Sequence, residues 1–153
     1  MKTVNSRITN LTVLASLVLL VMLPSCVDNG DLTLVFPTES AERTVRDHEE
    51  IILPDKEIEM SLWDWSAVDH DSVSVFLNGR TIVNRLFLKS ANQKHVVKAT
   101  LDKKRNDLVI LTHNEGTKPP GSLAFEIKSG DVCIERRTKN RMVRNERFKL
   151  VIE

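Results

Sequence analysis

A chain of 153 residues with 22 basic and 21 acidic side chains is close to neutral, and that balance excludes a dedicated nucleic-acid binder, which would be strongly basic. The cysteines are Cys26 and Cys133; once Cys26 is committed to other chemistry no disulfide framework is available, so stability has to come from a packed core. A hydrophobic fraction of 41% is enough to build one.

The N-terminal segment is the most informative part of the chain. Positions 11–23 read Leu-Thr-Val-Leu-Ala-Ser-Leu-Val-Leu-Leu-Val-Met-Leu, without a charge, and Lys2 and Arg7 lie just upstream. A helix of that length rises roughly 20 Å, whereas crossing a bilayer core takes about 20 apolar residues. A basic start, a short apolar run and a small residue before the break are the features of a secretory signal peptide. A buried core helix would instead show a polar face. The next residues, Leu23-Pro24-Ser25-Cys26, resemble the lipobox of bacterial lipoproteins. In that family the cysteine thiol takes a diacylglyceryl group, the leader is cut before it, and the new amine is acylated. The resemblance implies that residues 1–25 are removed and that Cys26 anchors the protein to a membrane. Each buried methylene contributes about 0.8 kcal/mol, so two or three acyl chains hold almost permanently where one would be marginal. Loss of Lys2 and Arg7 leaves 20 basic against 21 acidic residues, a net charge of −1.

Residues 26–50 read as a polar tether. Asp28, Asn29, Gly30 and Asp31 are polar and flexible, positions 32–36 could form a short strand, and 38–50 carry Glu39, Glu42, Arg43, Arg46, Asp47, Glu49 and Glu50 with few apolar residues to bury. That stretch predicts a linker, or at most one turn of exposed helix.

The domain is expected over residues 51–153. Short runs rich in β-branched and aliphatic residues recur between turn signals, at 58–62, 72–77, 80–84, 96–101, 108–112, 123–127, 132–137 and 147–152. Asn78-Gly79 is a strong hairpin signal between the second and third of them. Breaks at this spacing predict an all-β fold, a single two-sheet antiparallel β-sandwich of about seven to eight strands. Period-2 alternation points Val73, Val75, Leu77, Val97, Ala99, Leu101, Val109, Leu111, Leu123, Phe125 and Ile127 inward. Cys133, between Val132 and Ile134, is expected as a buried small hydrophobe.

From about Ile51 to Glu153 the chain resembles a family of β-sandwich modules in secreted proteins and lipoproteins of Bacteroidetes. The matching positions are Trp63 and Asp64; Asp69, His70 and Asp71; Val73, Val75, Leu77, Asn78 and Gly79; and Leu108, Val109, Ile110, Leu111, Asn114, Gly116, Pro119 and Pro120. Gly121-Ser122 stands where that family usually has Asn-Thr, and the turn at Asp64 lacks the usual Asn-Gly. The resemblance implies a sandwich fold and a cell-envelope location, and brings no established activity with it. In lipoproteins of that group, acidic residues just after the lipidated cysteine accompany export to the cell surface; Asp28 and Asp31 resemble that signal. The expected location is therefore the outer membrane, facing the periplasm or the surface.

Candidate chemistry centres on Trp63-Asp64-Trp65 and Asp69-His70-Asp71. Asp64, Asp69 and Asp71 could supply hard oxygen ligands to Ca²⁺, which takes six to eight of them. The competing reading is that each Asp bonds its own backbone and shapes the turn. Zinc is disfavoured because His70, His95 and His113 are scattered. Trp63 and Trp65, with Asn114 on the later loop, could bind a ligand: exposed indoles stack on sugar rings, whereas buried ones are core. The basic stretch 136–149 could meet an anionic partner or, as lysines and arginines on a terminal hairpin, blunt a sheet edge. Positions 1–153 contain no Gly-x-Ser-x-Gly elbow, Gly-rich phosphate loop or His-Glu-x-x-His. The expectation is a non-enzymatic module that binds a glycan or an envelope protein, or serves purely in envelope assembly without a small-molecule ligand.

Overall fold

The computed structural model describes residues 42–153; the expected signal peptide, Cys26 and the expected strand at 32–36 lie outside them. Nine strands follow one another: β1 (Thr44–Leu53), β2 (Glu57–Trp63), β3 (Asp71–Leu77), β4 (Arg80–Phe87), β5 (His95–Thr100), β6 (Arg105–Glu115), β7 (Gly121–Ser129), β8 (Val132–Asn140) and β9 (Arg144–Ile152). The first sheet has the order β1-β9-β6-β3-β4 and the second β5-β2-β7-β8. All pairings are antiparallel except β1 with β9. The chain is thus a two-sheet β-sandwich, and the strands beyond β1 fall where alternation and turn residues place them. Asn78 and Gly79 turn the β3–β4 hairpin with φ of 51° and 79°, the left-handed pair that a tight hairpin requires.

The core lies between the sheets. Leu53, Met60, Val75, Leu108, Ile110, Leu123, Phe125, Ile127 and Leu150 are fully buried there. Phe125 of the second sheet meets Phe148 of the first edge-on, with centroids 4.9 Å apart.

Three expectations are corrected. The domain does not begin at residue 51: β1 runs back to Thr44, into the expected tether. Its acidic side chains reach basic partners on other strands instead of water, Asp47 on Arg147 (2.9 Å), Glu49 on Arg136 (2.7 Å) and Glu50 on Arg105 (2.5 Å). Charge there signals an edge strand, not a linker. Exposed pairs of this kind each contribute at most about 1 kcal/mol, so they fix where β1 lies more than how firmly.

The second correction concerns β6. Leu108 and Ile110 face the core, whereas Val109 and Leu111 form a separate cluster with Phe76 on the other face. Leu108-Val109-Ile110-Leu111 is apolar on both sides, so alternation carries no phase in this central strand. The third is Cys133, which is exposed. It lies on β8, an edge strand of the second sheet, where Val132 is also exposed and Ile134 half-buried. Of the basic stretch, Arg136 pairs with Glu49, Arg147 with Asp47 and Arg144 with Glu146, so much of its charge is already matched within the domain.

If the core carries the fold and the β1 pairs only place an edge, the two should differ on mutation. Phe125→Ala is expected to lower the unfolding free energy by about 3–5 kcal/mol, and Arg136→Ala by less than about 1 kcal/mol, in urea denaturation. Equal losses would contradict this division.

Candidate functional site

Four connections cross between the sheets at one end of the sandwich: residues 64–70 after β2, 88–94 after β4, 116–120 after β6 and 141–143 after β8. They are knitted together by backbone and side-chain bonds. Asp64 N–H donates to Lys89 O (2.8 Å), Leu88 N–H to Asp71 O (2.8 Å), and Thr117 N–H to Asp69 O (3.3 Å). Met142 N–H donates to Glu115 Oε1 (2.7 Å). The two stretches expected to carry a site, around Trp63–Asp71 and Asn114–Gly121, therefore form one structure.

At its centre are the three carboxylates. Asp64, Asp69 and Asp71 are 3%, 8% and 2% exposed, and each offers an oxygen within 4.8 Å of the others. The β6–β7 loop and the start of β7 clasp them with donors. Ser122 donates its N–H to Asp71 Oδ2 (2.6 Å) and its hydroxyl to Asp64 Oδ1 in a short bond. Lys118 N–H and the Thr117 hydroxyl donate to Asp69 Oδ2. Ser66 N–H adds a bond to Asp64 Oδ1 (2.9 Å), the local Asp turn expected from sequence. Close approach is possible because position 116 is glycine: it has a φ of 67°, and a Cβ there would lie 2.3 Å from Asp69 Oδ1.

The clasp leaves charge unanswered. Asp64 Oδ2 and Asp71 Oδ1 are buried without a hydrogen-bond partner. Among the described residues no basic side chain forms an ion pair with any of the three. Burial, with the charges of Asp69 and Asp71's other neighbour Asp64 added, pushes the Asp71 carboxyl up to about 6 despite the opposing bond from Ser122 N–H.

Trp63 is not presented for stacking. It is 4% exposed, on the strand face away from Met60 and Leu62, and the Lys94 ammonium covers its ring at 3.9 Å. Trp65 is half-buried; its indole N–H donates to Thr138 O (3.1 Å), and the Arg137 guanidinium lies 5.9 Å from the ring. Asn114 is exposed and accepts from Gly116 N–H (2.8 Å), which shapes the loop that clasps Asp69.

Sequence reasoning missed Ser122, the residue that ties Asp64 to Asp71; a hydroxyl just after Pro119-Pro120-Gly121 was the available signal. It also missed a second polar cluster. Glu146 is wholly buried and is held by His48 Nε2 (2.6 Å) and Arg144 Nε (3.0 Å), while His48 stacks on Phe148 at 4.3 Å. Ser74 and His113 also approach to 2.7 Å, but Ser74 is 1% exposed and its hydroxyl accepts Arg85 N–H at an irregular point of β4. Both clusters are built into the frame rather than facing a cleft. Comparison of the chain with protein-family models, with curated proteins and with solved structures finds no match in any of the three.

The raised Asp71 carboxyl makes a pH prediction. Between the ordinary value of 3.8 and about 6 the folded protein holds a proton that the unfolded chain releases, so stability falls as pH rises through that window. Thermal melts of protein stripped of divalent ions should show this decline, and Asp71→Asn should flatten it. An Asp71→Asn profile parallel to the wild type would contradict the assignment.

Proposed function

We propose that the protein is an exported lipoprotein whose β-sandwich engages an envelope protein through its four-loop end, without catalysing a reaction. Export and anchoring rest on the leader at 1–25 and on Cys26. The observation that carries the binding reading is that four exposed apolar side chains stand on or beside the knitted loops: Val68, Phe87, Met142 and Val143 are 55%, 59%, 43% and 71% exposed. An apolar surface on a rigid frame favours a protein partner. With Trp63 under Lys94 and the Trp65 indole bonded to Thr138, the stacking platform a glycan needs is reduced.

The anchor fits this arrangement. Thr44 pairs with Arg144, so the chain joins the sandwich at the loop end. Residues 26–44 can span at most roughly 60 Å when extended. A partner embedded in or lying on the same membrane is within reach of such a tether.

Two measurements test the reading. Radiolabelled palmitate should enter the full chain and should fail to enter Cys26→Ala, which should be released from the membrane fraction. A photo-crosslinker at position 143 should capture one envelope protein, with capture lost in Met142→Asp. Absence of label from the wild-type protein would overturn the anchor. Glycan-array binding by the domain, without a crosslinked protein, would replace the protein partner with a sugar.

A further inference from the structure

We infer that Asp64, Asp69 and Asp71 form a Ca²⁺ site that ties together the loops joining the two sheets. This inference is independent of whether the loop end meets a partner. Three carboxylates lie buried within 4.8 Å of one another, and no basic side chain of the described residues pairs with them. Like charges at that spacing in a poorly solvated place repel strongly, so the group needs either bound protons or a cation.

The donors already present bear on the choice. The Ser122 amide and hydroxyl, the Ser66 amide and the Lys118 amide all donate to these carboxylates, as suits ionised acceptors. Those bonds fall on Asp64 Oδ1, Asp71 Oδ2 and Asp69 Oδ2. Asp64 Oδ2 and Asp71 Oδ1 remain buried and unpartnered, an orphan oxygen on two different strand ends. A buried carboxylate oxygen without a donor is the natural complement of a metal ion, and two of them in one cluster are not explained by turn formation.

The donor set also selects the ion. It is all carboxylate oxygen, which suits a hard cation and not the nitrogen and sulfur preference of zinc. Oxygens bound to one Ca²⁺ at 2.3–2.6 Å can stand up to about 5 Å apart, and the cluster's 4.8 Å fits that span. Mg²⁺ demands near-ideal octahedral geometry at about 2.0–2.1 Å and gives up its waters reluctantly, which suits a buried all-protein carboxylate set less well. Water and backbone carbonyls would complete the Ca²⁺ shell. Because Asp64 directly follows β2 and Asp71 begins β3, in different sheets, the ion would pin the sheets to each other at this end.

The test uses the full chain, solubilised and stripped with chelator. Addition of Ca²⁺ alone is expected to raise the melting temperature by about 5–10 °C at a hundredfold excess over Kd, reversibly on chelation. Mg²⁺ at the same concentration should give a smaller rise. Terbium should bind the wild-type protein with luminescence excited through the nearby tryptophans, and Ca²⁺ should displace it. Asp64→Asn and Asp71→Asn should melt cooperatively yet show no Ca²⁺ shift; should either fail to fold, terbium titration of the wild type decides alone. No melting shift together with no terbium binding would overturn the inference and leave shared protons as the means of neutralisation. A larger response to Mg²⁺ than to Ca²⁺ would overturn the choice of ion.

Discussion

Burial of like charge where the two sheets are joined is the constraint around which this end of the domain is arranged. Asp64 directly follows β2 and Asp71 opens β3, so the chain carries both carboxylates at the end of the core as it changes sheets. They are not left to water. The β6–β7 loop folds over them, and the Ser122 hydroxyl and amide bond to one each. The same loop then hands the chain from the first sheet to the second, so satisfying the carboxylates and closing the sandwich are a single structural act. Their presence without neutralisation opposes folding.

A second buried carboxylate shows the alternative solution. Glu146 lies on the core-facing side of β9, wholly inaccessible, but it has Arg144 and His48 beside it. The irregular step between Asp47 and Glu50 in β1 is what brings His48 onto Phe148 and Glu146. There the chain supplies its own countercharge. At the aspartate cluster the described residues supply only hydrogen-bond donors, and that contrast within one small domain is the reason to look for a bound cation there.

How much of this could be read from residues alone follows from which forces are local. β2 and β7 alternate through most of their length, and Asn78-Gly79 fixes a hairpin, because those signals lie within a few positions. β1 was hidden because its polar side chains answer to Arg105, Arg136 and Arg147, partners far away in sequence. The phase of β6 was hidden because both of its faces are apolar. The aspartates of the site were legible as a cluster, since they share one loop, while Ser122 stands 58 residues from Asp64 and its place after Pro119-Pro120-Gly121 does not say which carboxylate it meets. The roof of Lys94 over Trp63 is likewise a tertiary fact; alternation can place an indole on a face but cannot say what lies on top of it.

Carboxyl ¹³C NMR titration of the three aspartates, with and without Ca²⁺, reads their mutual repulsion and its relief. The account predicts that in ion-free protein the Asp71 carboxyl titrates near 6, and that saturating Ca²⁺ moves its titration well below that and shifts the Asp64 and Asp69 resonances together. Three independent titrations in the ordinary aspartate range, unchanged by Ca²⁺, would show that the charges do not confront one another and would contradict the account.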